Sequence, residues 1–276
     1  MIPKTNILHK LHLATIRQHI HGFHIVEPSP WPLTARLGSG LLTRAIVFLF
    51  ISPSYSLLIT AITIIMLRRY QWWRDVARER ALQGWHTFQV QIGIRGGMAL
   101  FIISEVIFFF SFFWAYFNNR LGYCLETGLV WPPTGITPLN PFGVPLLNTV
   151  ILLSSGLTVT ACHHYTLGED FSKAWFYLLL TVRLGLWFLS LQGLEYKTST
   201  FTIADSSYGS IFFVATGFHG THVIVGSLYL LVCLARMQKG QLSSTHHFGL
   251  EGAIWYWHFV DVVWIFLFIS IYWWGR

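Results

Sequence analysis

The run LFIISEVIFFFSFFWAYF, Leu100 to Phe117, holds one charged residue among eighteen and neither glycine nor proline. In a bilayer, only a helix lets a single segment of this kind satisfy its own backbone donors and acceptors. Similar runs recur along the 276 residues. They predict seven spans, near Leu33–Ile51, Ser54–Tyr70, Gly96–Phe117, Val144–Cys162, Ala174–Leu194, Tyr208–Ala235 and Gly252–Trp274. Ser52-Pro53 alone separates the first two, which predicts a tight helical hairpin. Arg36 and Arg44 interrupt the first span, and the sixth is long enough to tilt or protrude. Charged residues make up 11% of the chain, about half the share of a soluble domain. The predicted class is an all-α polytopic membrane protein.

Lysine and arginine placement orients the spans. With seven crossings, one side carries Lys4, Lys10, Arg17, Arg68, Arg69, Arg74, Arg78, Arg80, Lys173, Arg236 and Lys239. The other carries Arg120, Lys197 and Arg276. This asymmetry predicts that the N-terminus lies on the inner side of the membrane, where basic residues gather, and the C-terminus across it. The net charge of +7 therefore reports topology and anionic lipid, and no nucleic-acid partner is expected. Trp72-Trp73 and Trp273-Trp274 read as interfacial anchors. WPPTGITPLNPFGVP, Trp131 to Pro145, has five prolines and two glycines, which predicts an ordered, non-helical connection lying on the surface. Cys124, Cys162 and Cys233 are far apart and suggest neither a disulfide framework nor a thiolate metal site. The N-terminal residues do not read as a secretory signal.

Ionisable residues inside the spans are the candidates for chemistry. Glu105 sits near the middle of the third span. Two readings stand open for it: a proton relay or ion site, and a protonated carboxyl hydrogen-bonded to a neighbouring helix. His219 and His222 share a face of the sixth span, as His258 and Asp261 do of the seventh. A haem would need axial histidines at matched depth on facing helices. The chain has no H-x-x-x-H or E-x-x-H cluster, so interhelical hydrogen bonding is the expected role of these histidines and no metal ligands are expected. Arg44 and Arg183 are expected to snorkel, or to meet lipid phosphate or a partner subunit. Gly93-x-x-x-Gly97 and Thr216-x-x-x-Gly220 have the spacing of close helix contacts. YQWWRDVARERALQGWH, Tyr70 to His86, reads as a basic, aromatic loop. Arg74, Arg78 and His86 could hold lipid phosphate there, with Trp72 and Trp73 against acyl chains. A plain positively charged loop explains it as well.

Several stretches closely resemble subunit III of the haem–copper cytochrome c oxidases, in its short mitochondrial form. They are FHIVEPSPWP (Phe23–Pro32), YQWWRDVARE (Tyr70–Glu79), LFIISEVIFFFSFFWAYF (Leu100–Phe117) and WPPTGITPLNPFGVPLLNTVILLSSG (Trp131–Gly156). FTIADSSYGSIFFVATGFHGTHVIVG (Phe201–Gly226) and HHFGLEGAIWYWHFVDVVWIFLFISIYWWG (His246–Gly275) continue them. The resemblance runs from about residue 21 to the end. It implies seven helices in a two-helix and a five-helix group, with lipid in a V-shaped cleft between the groups. The implied parts are an N-terminal segment on the matrix side (1–32), the two-helix group (33–70), the basic loop (71–95) and the five-helix group (96–276).

The resemblance also implies a role. The chain itself would bind no haem or copper, since haem a and copper belong to partner subunits, and it would hold structural phospholipids. It would pack mainly on catalytic subunit I, with subunit II and accessory subunits nearby, in the mitochondrial inner membrane. The expected function is that of a non-redox core subunit of cytochrome c oxidase, which passes electrons from cytochrome c to O2 and pumps protons. Such a subunit supports proton uptake and sustained turnover and carries no catalytic residue of its own. The family's reactive buried carboxylate corresponds to Glu105, and its lipid contacts to Trp73, Arg78, Glu79, His86 and Arg236. Residues 1–20 have no counterpart in the family, and GQLSST (Gly240–Thr245) departs from its usual loop. The competing reading is a stand-alone proton-coupled transporter using Glu105 and Asp261. It would call for internal repeats and paired broken helices, which the sequence does not display.

Overall fold

The computed structural model describes residues 22–24, 28–52, 55–84, 86–122 and 128–275. The segment 1–20, Pro53 of the predicted hairpin turn, Cys124 and Arg276 lie outside the described residues. Seven long helices make up the described chain: α1 (Trp31–Ile51), α2 (Ser56–Gln83), α3 (Phe88–Leu121), α4 (Val144–Leu167), α5 (Phe171–Thr198), α6 (Ser206–Gln238) and α7 (Phe248–Leu267). A π-helical turn, Phe268–Trp273, prolongs α7. Six of the seven are long and apolar enough to cross a membrane; α2 is the exception. Its 28 residues would extend about 42 Å at the usual rise, but only the first half is apolar.

By its contacts the chain divides into two compact units, one ending at Ile94 and one beginning at Arg95. In the first, α1 and α2 pack through small residues. Gly38, Ala45 and Ala61 are buried, and a Cβ on Gly38 would lie 3.0 Å from Ile65 Cγ1 and 3.3 Å from Ile64 Cγ2. Without a hydrophobic drive between helices in lipid, such close approach is what gains van der Waals contact.

The hydropathy pattern predicts a loop from Tyr70 to His86, whereas the structure continues α2 to Gln83. The drop in hydropathy marks the end of the apolar layer, and VARERALQ beyond it consists mostly of good helix formers. Gly84 stops the helix at φ 69°, its N–H bonded to the Glu79 carbonyl, the left-handed termination that glycine adopts without strain. This charged extension is tied back to the start of α1. Trp31 Nε1 donates to Asp75 Oδ2 at 2.7 Å, and Arg74 pairs with Asp75 at 3.0 Å. The Arg68 guanidinium lies over the Trp31 ring, 5.8 Å from its centroid. The indole donor and the neighbouring Arg74 together hold the Asp75 carboxyl below the usual carboxylate range.

In the second unit, α4, α5, α6 and α7 meet around Trp257. Its ring is fully buried and its Nε1 donates to Ser155 Oγ of α4 at 2.8 Å. Glycines make room for it: a Cβ on Gly185 of α5 would sit 2.6 Å from Trp257 Cη2, and one on Gly226 of α6 would sit 2.9 Å from Cε3. The glycines packed around Trp257 are not those singled out by small-residue spacing. Among the described residues, nothing lies within 4 Å of a Cβ built on Gly93, Gly97 or Gly220. Thr216, for its part, accepts a hydrogen bond from Tyr196 OH at 2.8 Å.

The connection from Trp131 to Gly143 is ordered and non-helical, as its prolines predict. Trp131 stacks edge-on against Tyr116 and leans on Tyr208, while Ile136 and Leu139 pack on the core. Asp170 caps α5, accepting from the Lys173 N–H at 3.1 Å and pairing with its ammonium at 2.9 Å. Those contacts hold its carboxyl below the ordinary range. At the far end of α7, Tyr116 OH donates to the Ser270 carbonyl at 2.6 Å within the π turn. Arg120 lies 4.1 Å over the Trp274 ring, which fastens the end of α3 to the C-terminal turn.

Candidate functional site

Glu105 finds a partner 117 residues away. Its Oε2 lies 2.8 Å from His222 Nε2 on α6. His222 Nδ1 is 2.7 Å from the Phe218 carbonyl, an atom that only accepts, so Nδ1 carries a proton. A neutral His222 therefore presents a lone pair to Glu105, and the carboxyl must donate. The other arrangement of the same proton is imidazolium against carboxylate. Either way one proton is shared between the two residues. The aromatic rings of Phe108, Phe109, Tyr256 and Phe259 surround His222. Both members of the pair remain partly accessible, with side-chain exposures of 23% for Glu105 and 12% for His222.

His219, one helical turn before His222, goes elsewhere. It is buried, with Nε2 3.2 Å from the Val260 carbonyl of α7 and its ring against Phe188 and Trp264. His258 and Asp261 do meet, Nδ1 to Oδ2 at 3.7 Å, and His258 Nε2 reaches Thr160 Oγ1 at 3.3 Å. Asp261 lies against Gly156 of α4, where a Cβ would be 2.6 Å from its Oδ2. The predicted spans passed over a second buried carboxyl besides Asp261. Glu195, one residue past the predicted end of the fifth span, is buried. Its Oε1 accepts from Tyr272 OH at 2.6 Å and from Gln192 Nε2 at 3.2 Å. Asn148 of α4 donates to Gln192 Oε1 at 3.4 Å. The apolar run ends before Glu195 although the helix does not, so only the helix's true length could have revealed this network.

The remaining candidates lie on helix surfaces and ends. Trp73 and Arg78 are exposed on the charged half of α2, and Glu79 is half-buried. The His86 carbonyl accepts from Gln91 Nε2 at 3.0 Å. Arg236, in the second unit, closes α6 and contacts Gln241 Oε1 at 3.4 Å. A Cβ on Gly249 would lie 2.9 Å from its Nη1. Arg44 and Arg183 both face outward from their helices. Among the described residues, His163, His247 and Glu251 have ligand atoms within 4.8 Å of one another. Local motif searches miss that group because His163 and His247 are 84 residues apart.

Comparison with known proteins identifies the family. A family model described as "Cytochrome c oxidase subunit III" matches residues 21–276. Proteins named "Cytochrome c oxidase subunit 3" align over nearly their whole lengths. Those of Xenopus laevis and Latimeria chalumnae are 57% and 54% identical over 255 residues, covering 92% of this chain and 98% of each relative. That of Aedes aegypti is 54% identical over 256 residues, 93% of this chain and 98% of the relative. The chain belongs to the cytochrome c oxidase subunit III family.

Proposed function

We propose that this chain is a non-redox core subunit of a respiratory cytochrome c oxidase, the complex that passes electrons from cytochrome c to O2 and pumps protons. Haem a and copper belong to the partner subunits in this reading, catalytic subunit I being the main contact and subunit II and accessory subunits lying nearby. The chain sits in the mitochondrial inner membrane with its N-terminus on the matrix side, α2 serving as the return crossing after α1. Its two-helix and five-helix groups hold structural phospholipid, with Trp73, Arg78, Glu79, His86 and Arg236 as lipid contacts.

The observation that carries the reading is the family match over residues 21–276, and the Glu105–His222 pair, 2.8 Å apart, bears on the part Glu105 plays in it. A relay residue must pass its proton on to a further group along a path, whereas the proton between Glu105 and His222 meets only the Phe218 carbonyl beyond the ring, an atom that cannot take it up. The outer face of α3 agrees with a supporting role. Leu100, Ile103, Ile107, Phe110 and Trp114 form an exposed apolar stripe at alternating spacings of three and four residues, which suits acyl chains or a partner helix. Glu105 therefore maintains structure at the lipid boundary and lies off the main proton path.

The test is Glu105→Gln in the assembled oxidase. Gln keeps a side-chain donor toward His222 Nε2, so the initial turnover rate should match the parent, and activity should decay faster during sustained turnover. An initial rate lowered more than about tenfold, equivalent to about 1.4 kcal/mol in the barrier, would restore the relay reading.

A further inference from the structure

We propose that His163, His247 and Glu251 form a binding site for a transition-metal dication of the Zn2+ type, joining the end of α4 to the start of α7. The three residues reach one point from different elements: His163 from the last turns of α4, His247 from the residue before α7, and Glu251 from the first turn of α7. His247 Nε2 lies 3.3 Å from His163 Nε2 and 3.3 Å from Glu251 Oε1. With zinc–nitrogen bonds of about 2.0–2.1 Å, the edge of a tetrahedral site measures about 3.3–3.4 Å. Both separations fit that edge.

The protonation pattern favours a cation at this point. His247 Nδ1 is 3.1 Å from the Ser243 carbonyl and must donate to it, which leaves a lone pair on Nε2 of the neutral ring. In that state the lone pair faces a carboxylate oxygen, two acceptors 3.3 Å apart, a contact relieved either by a second proton on His247 or by a cation. A proton on His163 Nε2 can serve one acceptor and leaves the other unrelieved. A metal ion bonded to all three atoms relieves every contact at once. A backbone carbonyl bonded to the far nitrogen is also the support that metal-ligating histidines usually carry, since it fixes tautomer and ring orientation. Glu251 is held in place in turn, Arg95 Nη2 lying 3.0 Å from Oε2 and 3.2 Å from Oε1. His247 is buried and Glu251 nearly so, which sets the group apart from chance surface acids. Two imidazoles and one carboxylate are a donor set that suits zinc, with a fourth position left for water. The bound ion would clamp α4 to α7 at the end of the bundle where α4 finishes.

The experiment uses the intact assembly containing the full chain, stripped with a chelator and then dialysed against 65Zn2+ alone. The parent should retain one more tightly bound zinc per copy than Glu251→Gln or His163→Gln. Each variant should bind that zinc at least about tenfold to a hundredfold more weakly, since removing even a supporting partner costs that much. Zinc-edge X-ray absorption on the parent, with the Glu251→Gln spectrum subtracted, should show two imidazole nitrogens at about 2.0 Å. If Glu251→Gln assembles poorly, the parent before and after zinc loading gives the same difference spectrum without any variant. Equal binding by parent and both variants, no additional zinc in the parent, or a difference spectrum with oxygen ligands only would overturn the site. Each of those results would leave His247 and Glu251 as a plain ion pair.

Discussion

Replacing Gly185 with alanine tests how tightly the second unit is packed. The new methyl would lie 2.6 Å from Trp257 Cη2 and 2.9 Å from Ser227 Oγ, about 1 Å inside the ordinary 3.5–4.0 Å separation of carbon atoms. Trp257 cannot retreat. Its Nε1 is bonded to Ser155, and its other edge already lies where a Cβ on Gly226 would be 2.9 Å away. Overpacking of this kind costs about 1–3 kcal/mol; a cost of about 2 kcal/mol lowers the folding equilibrium roughly 30-fold. Gly193→Ala on the same helix is the control, because no described atom lies within 4 Å of its Cβ position. It should be neutral or slightly stabilising, as alanine is the better helix former. The assay is reversible unfolding in mixed detergent micelles, run as a double-mutant cycle with Trp257→Phe. Phe lacks the colliding Cη2 atom, so the pair of changes should cost less than the sum of the single ones by about 0.5–3 kcal/mol. A Gly185→Ala protein as stable as the parent, or strict additivity with Trp257→Phe, would refute the argument.

The first unit should respond in the same way. Gly38→Val should cost about 1–3 kcal/mol against Ile64 and Ile65, while Gly40→Val, with no described atom within 4 Å, should cost little. Equal yields of folded protein from the two variants would contradict the packing of α1 on α2. The Asp75 carboxyl should titrate, by carbon-13 NMR, below the ordinary value of about 3.9, and Trp31→Phe should return it toward that value. Its sign follows from the lowered folded value: the contact's contribution to stability is complete above the unfolded-state value and is lost as pH falls through the folded one. The side chains are exposed enough that this contribution is small.

Hydrophobic runs located all seven helices, because a spanning segment must be apolar for the thickness of the bilayer whatever its partners. They misjudged the ends for the same reason. Apolarity stops at the membrane boundary, while α2 continues through Arg74 and Arg78 to Gly84 and α5 continues through Glu195. Side-chain partners were less legible still. His219 and His222 are three residues apart and so only about 60° apart around the helix. That is enough to bury one against Val260 and Trp264 and to aim the other at Glu105. Nothing local announces a partner 117 residues away. Small-residue spacing did not point to the glycines opposite Trp257 and Ile65, because such facing pairs are invisible along one helix.

The most direct test of the account is spectroscopic. The chain would be isolated from its native membrane in mild detergent, and reduced-minus-oxidised visible spectra recorded for the captured complex and for the chain stripped from it. The account predicts haem a and copper signals in the complex and neither in the stripped chain. A haem band that stays with the stripped chain would make its histidines redox ligands, and would contradict the assignment of His219 and His222 to hydrogen bonding between helices.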